Sequence, residues 1–140
     1  MPLPQHLQLQ IVSADRLLIQ NQVDEVEVPA ADGYLGILPG HTPLLALLQV
    51  GELWYRKGEE KFHLSIAFGF VEVQPDRVSI LAEVAERAEE IDTTRAERAR
   101  KRAEERLTRP AVEMDFERAR IALMKALVRL QVASRARILA

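Results

Sequence analysis

The 140-residue sequence predicts an α+β protein, an N-terminal antiparallel β-sandwich followed by a C-terminal antiparallel α-helical hairpin. Three features carry that prediction. Through the first ~85 residues apolar and polar residues alternate in short runs broken by turn formers, the period of a half-buried strand. All six glycines lie in that part, between Gly33 and Gly69. After Asp92 apolar residues recur at spacings of three and four, the period of a helix. Charge changes sign at the same place. Residues 1–92 carry 6 Lys/Arg against 15 Asp/Glu, and residues 93–140 carry 13 against 6, so a net charge of −2 conceals an acidic half and a basic half. The expected division is residues 1–87 for the sandwich and 88–140 for the hairpin, with Glu86–Arg102 as the junction.

The strands justify themselves in order. Leu7, Leu9 and Ile11 alternate with Gln8 and Gln10. Leu17–Ile19 and Val23–Val28 repeat the pattern. Residues 31–43 are dense in turn formers around a small apolar core, with Pro39-Gly40 as a turn dipeptide. Leu44–Leu48 reads as a buried run. Gly51–Tyr55 and Lys61–Ile66 flank a polar hairpin tip, Arg56-Lys57-Gly58-Glu59-Glu60; Gly69–Val73 and Val78–Leu81 flank the turn Gln74-Pro75-Asp76-Arg77. Strands about ten residues apart, with turns and no helices between them, favour an antiparallel sandwich or barrel.

Asp92 is placed to cap the first helix, its carboxylate accepting from free N–H groups in Thr93-Thr94-Arg95. Ala96, Ala99, Ala103 and Leu107 form a narrow apolar stripe on an otherwise charged helix. Thr108-Arg109-Pro110 ends it, since proline has no N–H and restricts its predecessor. Val112, Phe116, Ala119, Leu123, Ala126, Leu130 and Ala133 then form a matching seam, and the short connection implies an antiparallel pair. A seam half made of alanine buries few methyl groups, each contributing about 0.8 kcal/mol. The hairpin is therefore expected to be marginal by itself and responsive to ligands or partners.

Composition excludes several functions. Without cysteine there is no disulfide, thiolate metal site or cysteine nucleophile. His6, His41 and His63 share no metal-ligand spacing, no phosphate-binding Gly-x-x-x-x-Gly-Lys-Ser/Thr loop occurs, and no catalytic constellation appears. The N-terminus has no signal-peptide pattern and no stretch approaches the ~20 apolar residues of a membrane helix, so any membrane association is expected to be peripheral. Trp54 and Tyr55 read as sheet packing. Nucleic acid is not expected as a partner, because the hairpin's one aromatic, Phe116, lies in the seam and offers no stacking platform.

The arginines of the hairpin are more informative. On a helical wheel Arg95, Arg98, Arg102 and Arg106 fall within about 80° of one another beside the alanine stripe. Arg118, Lys125 and Arg129 cluster beside the second seam, displaced in the same rotational sense. Antiparallel packing then brings both rows to one edge, with Arg102 level with Arg118 and Arg95 level with Lys125. Facing rows of cations repel unless an anion or acidic partner lies between them, and guanidinium forks suit phosphate. The alternative is a solvated helix face.

Three motifs carry a family resemblance over nearly the whole chain. They are Gly33-x-x-Gly36-Ile37-Leu38-Pro39-Gly40-His41-x-Pro43-Leu44, Gly69-x-x-Glu72-Val73, and Leu81-Ala82-Glu83-x-Ala85 leading into Ile91-Asp92-x-x-Arg95-Ala96. In this order they resemble the epsilon subunit of bacterial F-type ATP synthase. The resemblance implies a non-catalytic rotor subunit at the cytoplasmic face of the membrane. Its sandwich would bind the gamma subunit and the c-ring, with Tyr34, Pro39, Gly40 and His41 in the partner-binding loop; many relatives carry an acidic residue where Tyr34 stands. Its hairpin would extend toward the alpha and beta subunits and obstruct ATP hydrolysis, or fold back when ATP binds. No cofactor is required, and ATP enters as a regulatory ligand. The family's ATP-binding positions match Glu86, Ile91, Asp92, Arg95, Ala96, Arg102, Arg118 and Arg129, with Lys125 at a clamp position that is Arg in a well-binding relative. Arg95, Arg102, Arg118, Lys125 and Arg129 are expected to hold phosphates, and Asp92 and Glu86 the adenosine end. Lysine keeps the charge and loses the fork, so lower affinity is expected. In the extended state the same basic helices would meet acidic surface on the beta subunit. The rival from another class is a free-standing anion or nucleotide sensor whose sheet scaffolds a basic hairpin.

Overall fold

A computed structural model describes residues 3–108 and 113–139 as two compact units, 1–86 and 87–140. The first holds seven strands: β1 (Leu7–Val12), β2 (Leu17–Val23), β3 (Glu25–Ala30), β4 (Gly33–Ile37), β5 (Leu44–Lys57), β6 (Glu60–Gln74) and β7 (Arg77–Arg87, which runs to the boundary). The hydrogen-bonded order is β2-β1-β7-β6-β5-β3-β4. β2 and β5 are not neighbours in that order yet touch, so the sheet folds over on itself as a sandwich and buries its inner side chains between two layers. Leu7, Leu9 and Ile11 point inward in register with Val23, Asn21 and Ile19 of β2. They join Val26, Val28, Leu53, Leu64, Ile66, Val71, Val78 and Ile80 in one core.

The long strands depart from expectation. Gly51 does not open a new strand. It lies inside β5, where a Cβ would come within 2.5 Å of the Pro29 Cβ, so only glycine lets β3 and β5 approach this closely. β6 likewise passes through Phe68 and Gly69 without ending, but with positive φ at both, 63° and 129°. A Cβ on Gly69 would lie 2.0 Å from the Leu81 carbonyl oxygen. Around this point the buried side of β5 switches from Leu48 to Leu53 and Tyr55, so one strand serves both layers. Residues 33–37, expected as turns, form β4 paired with β3. The pairs β1–β2, β3–β4, β3–β5 and β5–β6 are antiparallel, and β1 runs parallel to β7.

The second unit holds a short 3-10 turn (Ala88–Glu90), α1 (Thr93–Thr108) and α2 (Glu113–Leu139). The predicted break at Arg109-Pro110 and the seam position Val112 lie outside the described residues. Asp92 caps α1: the Arg95 N–H donates to its Oδ1 at 3.0 Å, and the Ala96 N–H donates to its carbonyl at 3.0 Å. α1 and α2 pack together with Ala96, Ala103, Ala119, Ala126 and Ala133 buried. Phe116 does not join them and is 40% exposed. Backbones drawn close by alanine leave no room for a ring between them.

Candidate functional site

The outer face of the sheet is the first feature that folding does not explain. Leu44–Leu48, expected to be buried, is mostly not: only Leu48 enters the core, and Leu45 and Leu47 are 68% and 57% exposed. Alternation along β5 forces this, because Ala46 and Leu48 use the inner face. Leu47 is paired with Phe70 of β6, itself 50% exposed, and next to Phe70 the Gly69 backbone lies against Leu81 of β7, 59% exposed. Large apolar side chains are thus left exposed on three strands, β5, β6 and β7. This exposure was missed because a leucine run looks the same whether one face or both are covered.

The partner loop lies in the same unit. Tyr34, on β4, exposes its ring, and its hydroxyl accepts the Glu52 N–H at 3.5 Å. With Asp32, Leu44, Leu45 and Leu47 it lines a shallow groove. The Gly40 N–H donates to the Pro75 carbonyl at 2.7 Å, fastening the Pro39-Gly40-His41 turn to the β6–β7 connection. His41 Nδ1 lies 2.7 Å from its neighbour's carbonyl at Thr42.

The other histidines and aromatics are structural. His63 Nδ1 lies 2.6 Å from Glu52 Oε1, both side chains nearly buried. His6 Nδ1 lies 2.9 Å from Asp24 Oδ1, and the Gly58 N–H donates to Asp24 Oδ2 at 2.7 Å. The Gly58 bond, then His6, holds the Asp24 carboxyl below its ordinary range. Tyr55 is buried and stacks on Phe62 at 5.0 Å, and Lys61 sits 4.1 Å over the Trp54 ring. Among the described residues no group of side chains is placed to hold a metal ion.

In the hairpin the charges divide into two populations. Arg100 pairs with Glu97 and Glu104, and Arg120 with Glu117; hydrogen bonds donated to these carboxylates raise both guanidinium pKa values. On the helical wheel these neutralised arginines occupy one flank of the seam. The other flank carries Arg95 and Arg102 on α1 and Arg118, Lys125 and Arg129 on α2. Arg95, Arg102 and Arg118 are exposed, and among the described residues no carboxylate stands within ion-pair distance of them. Lys125 and Arg129 are half-buried. Arg95, Arg102 and Arg118 thus offer an anion exposed guanidinium donors.

The remaining predicted contacts are less open. Ile91 and Ala96 are buried, Ile91 against Ala88, Val132 and Ala133, so their side chains are committed to packing. Asp92 is exposed but uses Oδ1 as the helix cap. Glu86, half-buried near the end of β7, belongs to the sheet unit. An open depression is lined by Thr93, Thr94, Glu97, Arg98, Lys101 and Leu130; of the predicted α1 row it includes Arg98 but neither Arg95 nor Arg102.

Comparison with known proteins identifies the surroundings in which this architecture occurs. Residues 6–88 match the family model of the ATP synthase delta/epsilon chain β-sandwich domain, and residues 89–134 that of its long α-helix domain. The ATP synthase epsilon chain of Solibacter usitatus is 48% identical over 133 residues, covering 95% of this chain and 99% of the relative. The epsilon chain of Herpetosiphon aurantiacus is 51% identical over 127 residues, covering 91% and 93%. Among solved structures, a chain of the Euglena gracilis mitochondrial ATP synthase in an OSCP/F1/c-ring assembly aligns at a TM-score of 0.81. It is 24% identical, with 99% of this chain and 84% of that one covered.

Proposed function

The chain belongs to the ATP synthase delta/epsilon family, and from that premise we propose that it is the non-catalytic epsilon subunit of a bacterial proton-translocating F-type ATP synthase, its sheet unit docking on gamma and the c-ring. The observation that carries this is the set Leu45, Leu47, Phe70 and Leu81, large apolar side chains that β5, β6 and β7 leave exposed. Exposed apolar side chains gathered on one face mark interaction surfaces, and the relatives are subunits of a multi-subunit enzyme. Tyr34 and the fastened Pro39-Gly40-His41 turn extend the surface toward the c-ring. Among the described residues no helix is long and apolar enough to cross a membrane, and the subunit would sit peripherally at the cytoplasmic face. Replacing Leu47 or Phe70 by Asp should abolish co-purification with gamma while Trp54 fluorescence stays native; retained binding would move the interface elsewhere.

The hairpin is the regulatory part of this proposal. Extended, its basic flanks reach the catalytic head and obstruct hydrolysis. Folded, they hold ATP, with Arg95, Arg102, Arg118, Lys125 and Arg129 on the phosphates. The exposed guanidinium groups of Arg95, Arg102 and Arg118 support the folded state's preference for a polyanion, because bound phosphate lowers the repulsion between like charges. Titration calorimetry with ATP should show saturable heat that Arg102→Ala removes. No heat with millimolar nucleotide would end the ATP reading and leave the sheet interface standing.

A further inference from the structure

Buried side chains in the helical unit are almost all alanine. Among the described residues of this unit only two larger side chains are buried, Ile91 and Val132 at 8% and 0% exposure, and they lie in one cluster with Ala88 and Ala133. Val128 and Ala136 pack against its edge. The cluster meets the alanine seam at Ala133. It joins the 3-10 turn and the residue after it to the C-terminal half of α2, at the end of the hairpin farthest from the 109–112 connection.

We infer that Ile91 and Val132 form a clasp that holds the open end of the hairpin shut, and that an anion at Arg95 acts on this clasp through the turn the two share. Alanine contacts contribute one methyl each, whereas a valine against an isoleucine brings several into a site with little else. Releasing that contact frees the last turns of α2 before the alanine seam has to separate, so the hairpin should open from this end. Asp92 follows Ile91 directly and fixes α1 by accepting the Arg95 N–H. A ligand that immobilises Arg95 therefore restrains the turn that presents Ile91 to Val132. This second step rests on the ATP reading above; the first does not.

Hydrogen exchange on the full chain tests the two separately. Without nucleotide, Val132→Ala should speed exchange over residues 128–136 by about tenfold, with residues 96–103 changed far less. Val132→Thr, which keeps the shape and adds a hydroxyl, should act in the same direction, and Leu127→Ala, at an exposed position, should do neither. Unchanged exchange in both Val132 variants, or equal loosening of residues 96–103, would overturn the clasp. Saturating ATP should then slow exchange over 128–136 in the wild type. If the Val132 variants loosen that end but ATP protects nothing, the clasp stands and the ligand step falls; protection by ATP with indifferent Val132 variants refutes the clasp itself.

Discussion

The two units bury their apolar residues in opposite styles. The sheet unit fills its core with Leu, Ile and Val from all seven strands, joined by Tyr55 of β5, many of them under 2% exposed. The helical unit closes on five alanines and one small cluster. Branched side chains interlocked across two layers make a core that cannot shift in part. An alanine seam has little shape to interlock and little area to lose, so its helices can separate without breaking a jigsaw. One sequence thus specifies a tightly interlocked unit and a weakly interlocked one by the size of the residues it buries.

The sharpest way to break the contrast is to delete a buried side chain in each unit. Leu53→Ala, at a fully buried site, should destabilise the sheet by about 3–5 kcal/mol. The chain's one tryptophan, Trp54, lies on β5 and reports that transition by fluorescence during urea unfolding. Ala103→Gly, equally buried, should cost about 1 kcal/mol and show in helical circular dichroism, with the Trp54 transition unmoved. A similar loss follows from Asp92→Ala, about 1 kcal/mol of α1 stability through the missing cap, while Asp92→Ser should restore most of it.

Smaller effects sharpen the account within the sheet. Asp24 titrates below its ordinary range when folded, because the Gly58 N–H donates to it and His6 adds to the effect. Unfolded, it regains an ordinary value of about 3.9. Its stabilisation is therefore complete above that value and disappears as pH falls through the lower folded one. Asp24→Asn should lower the urea midpoint near neutral pH, and the gap to wild type should close in acid; a gap that persists would assign the effect to shape rather than charge. The smallest expected change is Leu47→Asn, within about 0.5 kcal/mol of wild-type stability, because this exposed leucine lies outside the core.

What was legible in the sequence follows the same line. Local signals read true: the alternation of β1, the cap at Asp92 and the alanine spacing each depend on neighbours a few residues away. Long-range geometry was hidden. Gly51 and Phe68-Gly69 look like strand ends, yet each marks a place where a continuous strand meets another backbone, a fact set by Pro29 and Leu81 far along the chain. The parallel pairing of β1 with β7 is equally remote. Leu45 and Leu47 looked like core because hydrophobicity does not say which face is covered. In the hairpin, wheel geometry placed Ala96 in the packed stripe and gathered the basic rows beside it, but it did not reveal that Arg100 and Arg120 are paired with neighbouring glutamates or that Ile91 spends its side chain on packing.

The claim that the sheet mounts and the hairpin regulates is tested most directly by a chain ending at Glu90, added to gamma and the catalytic subunits. It should bind gamma as tightly as the full chain, keep the same Trp54 unfolding transition, and leave ATP hydrolysis uninhibited, whereas the full chain should suppress it. Loss of gamma binding, or inhibition that survives the truncation, would contradict the division.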